Sequence, residues 1–143
     1  MRRMLGLVLL ALSISACEST WHLYPVQGPL ATQSPSLILT ATLTRQTEPP
    51  TLQLTLPSGE SCRGSVAQVL PTDPAARSMS TVWDAVYGSG FFVAHVLGST
   101  LLNGGQLTGT QGTTLNVQFL QVPGGIRGVA SDNQGNVFKL LWP

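Results

Sequence analysis

The stretch TLQLTLPSGESCRGSVAQV, residues 51–69, decides the fold class that this sequence predicts. Leucine occupies every even position from 52 to 56, and threonine or glutamine occupies every odd position from 51 to 55. A period of two puts the leucines on one face of a half-buried β-strand. Pro57-Ser58-Gly59-Glu60 is typical of a turn, so Ser61–Val69 is expected to return as a second strand beside the first.

The same alternation recurs on both sides of this hairpin. Ser36–Thr44 alternates leucine or alanine with mostly threonine, whereas Pro71–Ser78, with two prolines and an aspartate, is predicted to be a loop. Turn-forming residues separate further predicted strands at Phe91–Leu97, Gln106–Thr110, Thr113–Val122, Ile126–Ala130 and Asn136–Trp142. We therefore predict a mainly β protein, a small antiparallel barrel or sandwich of about seven or eight strands with one short helix.

The predicted helix carries the candidate partner-binding residues. Thr81 is expected to cap it, with Asp84 at the spacing of a capping box, and Gly88 is expected to end it. Trp83 and Tyr87 lie four residues apart, on one helical face. Trp83, Asp84 and Tyr87 are candidates because aromatic side chains dominate binding hot spots. The alternative is that the helix only covers the β-core with its aromatic side.

Few side chains could carry catalysis. His22 and His95 are isolated, and a metal site needs several converging ligands, so neither a metal nor another cofactor is expected. Cys62 could be a buried small hydrophobe, a free thiol or half of an intermolecular bridge. A nucleophilic Cys62–His95 pair has little support, because Arg63 would point to the opposite face of the strand. The sequence also lacks a Gly-x-Ser-x-Gly elbow and a Walker loop, so no catalytic residue is assigned and no enzyme is predicted.

Charge excludes one class of partner. Charged residues make up 9% of the chain, and the formal net charge is +1. Two of the seven basic residues, Arg2 and Arg3, belong to the N-terminal segment described next, so the remainder has a net charge of −1. Without a basic patch, nucleic acid is not an expected partner. A polar surface of threonine, glutamine, serine and asparagine is typical of exported β-proteins.

The N-terminus has the order of features found in signal peptides. Arg2 and Arg3 precede the apolar run Leu5–Ile14, which is too short to span a bilayer, and small residues follow. Ile14-Ser15-Ala16-Cys17 resembles the bacterial lipobox. The resemblance implies cleavage between Ala16 and Cys17 and acylation of Cys17, including palmitate.

The lipobox resemblance also implies a location and a domain division. Glu18 is not the aspartate that typically retains a lipoprotein in the inner membrane, so the outer membrane of a bacterial envelope is expected. More than one acyl chain would hold the protein stably. We expect a signal peptide at 1–16, an acylated cysteine with a proline-rich tether at 17–35, and a single β-rich domain at 36–143.

Three further segments resemble a protein family. Residues 80–88, 94–98 and 127–139 look like segments of small uncharacterised bacterial lipoproteins. The resemblance implies a location in the cell envelope and no particular reaction.

These observations predict a lipid-anchored envelope protein that is a non-enzymatic binding or structural module. Its expected partners are the membrane, through the acyl chains, and an envelope protein or peptidoglycan. The alternative is an inhibitor or protective module, because Ser58-Gly59-Glu60 is similar to the short loop that lysozyme inhibitors insert. The remaining alternative is an enzyme that depends on Cys62.

Overall fold

The alternating segments form strands that wrap around one apolar interior. The structure, a computed structural model, describes residues 18–33 and 37–143. Within these residues the strands are β1 (Glu18–Gln27), β2 (Leu39–Thr44), β3 (Thr51–Thr55), β4 (Ser61–Ser65), β5 (Ala67–Gln68), β6 (Leu102–Gly109), β7 (Thr114–Val122), β8 (Gly125–Asp132) and β9 (Val137–Trp142).

All strands except β5 belong to a closed antiparallel barrel. Each strand pairs with its neighbours along the chain, β4 pairs with β6, and β9 pairs with β1 to complete the circle. Gly64 allows β4 and β6 to approach, because a Cβ there would lie 2.1 Å from the backbone oxygen of Gln106. The prediction of a mainly β antiparallel fold is confirmed, and the closure identifies it as a barrel and not a sandwich.

The barrel interior follows from the alternation. On β3, Leu52 and Leu54 are buried, while Gln53 between them and the flanking Thr51 and Thr55 are at least partly exposed. Trp21, Phe119 and Phe138 fill the interior from the other side, and Trp21 meets Phe119 edge to face with centroids 4.8 Å apart. Full burial of such side chains contributes about 1.5–3 kcal/mol each, so this cluster is a main source of the stability of the barrel.

The predicted tether at residues 17–35 is wrong for the part that the structure describes. Residues 18–27 are β1, which pairs with β2 on one side and β9 on the other. Trp21 and Leu23 point inward with the period of a strand, and Pro25 is tolerated because the pairing shifts register between Pro25 and Gln27. The β-domain therefore includes residues of the predicted tether. Ala16 and Cys17, the predicted cleavage and lipidation residues, lie outside the described residues.

Helical segments connect β5 to β6 across the outside of the barrel. They are α1 (Pro74–Arg77), α2 (Ser80–Tyr87) and a π-helical segment (Phe92–Val96). The short helix is therefore present, but two neighbouring predictions are wrong. Phe91–Leu97 is not a strand, and Pro71–Ser78 is not entirely a loop because it contains α1.

These helical segments cover a second apolar cluster. Trp83, Phe92 and Val96 pack on outward-facing side chains of the barrel, which are Leu102 of β6, Leu120 of β7 and Val129 of β8. Within the described residues, no helix has the length and apolar character needed to cross a membrane.

The two ends of the barrel are formed by different segments of the chain. The closed end consists of the turns at residues 56–60, 110–113 and 133–136 together with a 3₁₀ helix, Pro29–Thr32. The open end consists of Glu18, the β2–β3 connection at residues 45–50, the β7–β8 turn at residues 123–124, and Trp142. Because β1 runs from the open end to the closed end, its first residue, Glu18, pairs with Thr44 at the open end.

Candidate functional site

Trp83 is buried and cannot contact a partner directly. Its side chain has no exposed surface, and its Nε1 donates a 2.8 Å hydrogen bond to Oε1 of Gln118. Gln118 is itself buried and donates through Nε2 to the carbonyl oxygen of Ala76. The prediction that Trp83 binds a partner is therefore wrong. Trp83 fits the alternative interpretation, in which the helix covers the β-core with its aromatic side.

Asp84 has a local structural contact instead of a free carboxylate. Its Oδ1 accepts a hydrogen bond from the backbone nitrogen of Phe92 at 2.9 Å, and its Oδ2 accepts one from Gly90 at 3.1 Å. Asp84 therefore joins α2 to the π-helical segment. The expected capping box is wrong, because α2 begins at Ser80 and no side chain caps it at Met79.

Tyr87 is partly exposed, as Asp84 is, and it lies in a column of stacked rings. Its ring stacks on Phe91 at 4.7 Å, and Phe91 contacts the exposed His95 ring at 4.7 Å. Its hydroxyl donates a 2.9 Å hydrogen bond to the carbonyl oxygen of Gly128 on β8. Burial raises the pKa of Tyr87 to about 12, although the nearby Arg127 acts in the opposite direction.

Two cations flank this ring column. Lys139 Nζ lies 5.5 Å from the centroid of the Tyr87 ring, and the guanidinium carbon of Arg127 lies 6.0 Å from it. Both distances are within the range of cation–π attraction. We call the surface formed by Tyr87, Phe91, His95, Arg127 and Lys139 the ring–cation face.

The local sequence explains why these side chains meet. Arg127 and Lys139 point outward because their strand neighbours, Ile126 and Phe138 among them, point into the barrel. Phe91 and His95 follow Tyr87 at intervals of four residues, a helical spacing that could have identified the column from the sequence. We missed these residues because the segment from Phe91 was assigned to a strand.

Glu60 is buried within the closed end and is not available for insertion into another protein. It is only 3% exposed, and its carboxylate accepts hydrogen bonds from the backbone nitrogens of Gln111 and Thr113 and from the Thr113 hydroxyl. The Thr113 side-chain hydrogen bond is the main cause that lowers the pKa of Glu60. The structure therefore gives no support to Ser58-Gly59-Glu60 as an inhibitory loop.

Cys62 lies in the barrel interior, apart from His95. The thiol is fully buried, and burial raises its pKa, with smaller contributions from Glu60 and Asp132. His95 is exposed on the outer helical layer, so the two side chains do not form a nucleophilic pair. A buried small hydrophobe is the interpretation that fits this environment.

Several concave regions lie outside the ring–cation face. One is a cleft of about 370 Å³ between α1 and the outer faces of β6 and β7, where Asp73, Gln106 and Asn116 contribute polar groups. Two cavities, of about 440 and 260 Å³, lie at the open end, and another of about 320 Å³ lies at the closed end. Across residues 18–33 and 37–143, no group of three or more His, Cys, Asp or Glu side chains converges as metal ligands would.

Comparisons with protein families, with curated proteins and with solved structures find no match for this chain. The resemblance to small bacterial lipoproteins therefore remains a prediction from the sequence.

Proposed function

We propose that this protein is a lipid-anchored component of the bacterial envelope, held in the outer membrane through acyl chains on Cys17. In this proposal the barrel is a non-enzymatic module that binds another envelope component through the ring–cation face. The partner is anionic, an acidic segment of an envelope protein or the carboxylates of peptidoglycan.

The observation that carries the proposal is the arrangement of three rings and two cations on one outer surface. Tyr and Arg are enriched at binding hot spots, and here Tyr87 is fixed by a hydrogen bond to β8 while Arg127 remains exposed. A fixed ring loses little conformational entropy on binding. The face is therefore preorganised for a partner.

The charge of this face favours an anionic partner. Arg127 and Lys139 each carry a positive charge at neutral pH, and a Tyr87 pKa of about 12 keeps the phenol neutral there. A carboxylate placed beside Tyr87 can accept hydrogen bonds from Arg127 or Lys139, which both lie against that ring. Acylation would raise the local concentration of the barrel at the membrane, so a weak contact could still be occupied.

Site-specific photocrosslinking in cells tests the proposal. A photoreactive phenylalanine replaces His95, because this side chain is exposed and closes the ring column. We expect a discrete crosslinked species at position 95 that becomes weaker when Arg127→Ala is added. A photoreactive residue at position 53, exposed on β3 at the far side of the barrel, is the matched control position.

Arg63→Ala is the matched charge control, because Arg63 is also an exposed arginine but lies on β4. It should leave the crosslink at position 95 unchanged. The same crosslinked species at positions 95 and 53, or equal losses with Arg127→Ala and Arg63→Ala, would overturn the assignment of this face.

A further inference from the structure

The first described residue is already part of the barrel. Glu18 pairs with Thr44, and the next residue, Ser19, pairs with Leu43. A single peptide bond joins Cys17 to Glu18, so acyl chains on Cys17 would enter the bilayer within one residue of the open end. Consecutive Cα atoms are only about 3.8 Å apart, which leaves no tether to hold the barrel away from the lipid.

The open end carries side chains suited to a lipid surface. Trp142, at the end of β9, is 37% exposed beside the half-buried Val122, and the exposed Arg45 lies on the same rim. Trp and Tyr are enriched where a membrane meets water, because an apolar ring and a polar ring nitrogen suit that boundary. A guanidinium at the same level can bind lipid phosphates.

A cavity continues this surface into the barrel mouth. It has a volume of about 440 Å³ and lies between Glu18 on β1 and Trp142 on β9, with Trp21 and Ile126 at its apolar floor. The position of the cavity next to Glu18 brings it beside the acyl chains that Cys17 would carry. An apolar cavity at this level can hold an acyl chain, either of a phospholipid or of Cys17 itself, in place of water.

We propose that the open end of the barrel lies against the phospholipid bilayer, with Trp142 at the boundary between headgroups and acyl chains and Arg45 at the level of the phosphates. This inference rests on the proposed acylation of Cys17. It fixes the orientation of the protein, because the closed end then points away from the membrane and the ring–cation face stands at the side of the barrel.

Quenching of tryptophan fluorescence by brominated lipids tests this orientation. The full acylated protein is reconstituted into vesicles of phosphatidylethanolamine and phosphatidylglycerol, with and without bromine on the acyl chains. Because Trp142 is one of three tryptophans and the other two are buried, we expect quenching of up to about a third of the emission. Trp142→Phe, which keeps an aromatic ring at the rim, should abolish the quenching.

A tryptophan at the opposite end provides the matched control. Ile38, just before β2 at the closed end, is 54% exposed. In the Trp142→Phe background, Ile38→Trp should remain unquenched. Quenching of this residue as strong as that of Trp142 would overturn the orientation.

The mass of the N-terminal peptide separates failure of the orientation from failure of the anchor. An acylated Cys17 together with an unquenched Trp142 overturns the orientation and leaves the anchor standing. Absence of acyl groups from Cys17 overturns the proposed anchor, and the orientation falls with it.

Discussion

The two ends of the barrel differ in the hydrogen bonds that their side chains make. At the closed end, Asp132 accepts hydrogen bonds from the backbone nitrogens of Gln134 and Asn136, both at 2.9 Å, and from the Asn136 side chain. Asn136 in turn accepts a hydrogen bond from the backbone nitrogen of Leu30. Glu60 joins the two neighbouring turns in the same way. Asp132, Asn136 and Glu60 are therefore hydrogen-bonded within the chain and connect the turns of this end.

The open end has no comparable network among its described residues. Two cavities of about 440 and 260 Å³ lie there, both lined by Trp21 and Arg45, and Trp142 remains partly exposed at the rim. The closed end has a cavity of its own, of about 320 Å³, so the two ends differ in hydrogen bonding and not in the presence of a hollow. Side-chain hydrogen bonds connect the turns of one end, whereas the other leaves an aromatic ring and charged groups of both signs exposed.

The largest effect is expected where a closed-end glycine packs on a neighbouring turn. Gly28, at the closed end, has φ of 94°, and a Cβ there would lie 2.3 Å from the carbonyl oxygen of Gly135. Gly124, at the open end, has φ of 79° with no atom within 4 Å of such a Cβ. We expect Gly28→Ala to lower the free energy of unfolding by about 3 kcal/mol or more, from strain and a backbone clash together.

Gly124→Ala is the matched control, because it adds the backbone strain without the clash. Its expected cost is about 1 kcal/mol. Urea denaturation of both variants measures the difference, and equal costs would contradict the claim that Gly28 packs closely on the turn at residues 133–136.

Removing one hydrogen bond at the closed end should have a smaller effect. Thr113→Val keeps the shape of the side chain but deprives the buried Glu60 carboxylate of its hydroxyl donor. Loss of a hydrogen bond to a charged, buried group typically costs about 1.5–3 kcal/mol. Thr108→Val, an exposed position on β6, is the control and should change the free energy of unfolding by less than about 0.5 kcal/mol. A cost at position 113 no greater than at position 108 would show that the Glu60 network contributes nothing.

The same network predicts how stability depends on pH. Its hydrogen bonds hold the folded-state pKa of Glu60 below the ordinary value of 4.5. The stabilisation is therefore fully present above that value and is lost as the pH falls through the folded-state pKa. We expect the melting temperature of the wild type to decline at acidic pH, and we expect Glu60→Gln to decline less while being less stable near neutral pH.

Glu48→Gln removes an exposed carboxylate in the β2–β3 connection and is the control for this experiment. It should retain the acid decline of the wild type. An identical pH profile for the wild type and Glu60→Gln would show that protonation of Glu60 does not cause the loss of stability at acidic pH.

The parts of the fold that the sequence predicted are those where local pattern and tertiary structure agree. The hairpin of β3 and β4 follows from the alternation in residues 51–56 and the turn after it. β1 was missed because Pro25 was interpreted as a break in hydrogen bonding, whereas a local register shift accommodates it beside β9, past the point where the pairing with β2 ends. Only the pairing with both β2 and β9 reveals that residues 18–27 are a strand.

The π-helical segment and the ring–cation face were missed for a similar reason. The sequence FVAHV, residues 92–96, has the aromatic and β-branched composition of a strand. Asp84 accepts the hydrogen bond of the Phe92 nitrogen, and Phe92 packs on the outside of the barrel, so tertiary contacts override that preference. Arg127 and Lys139 come together only through the pairing of β8 and β9, which neither segment of sequence specifies alone.

The smallest effect is expected at the rim of the open end. Arg45 is exposed and lines both cavities there, so Arg45→Ala should change the free energy of unfolding in solution by less than about 0.5 kcal/mol. Urea denaturation beside the control Arg63→Ala, an exposed arginine within β4, measures this. A cost well above that of Arg63→Ala would mean that the open end also holds the fold together, and the contrast between the two ends would fail. A negligible cost would mean that the Arg45 side chain makes no contact on which the fold depends. A side chain that faces lipid phosphates must be available in this way.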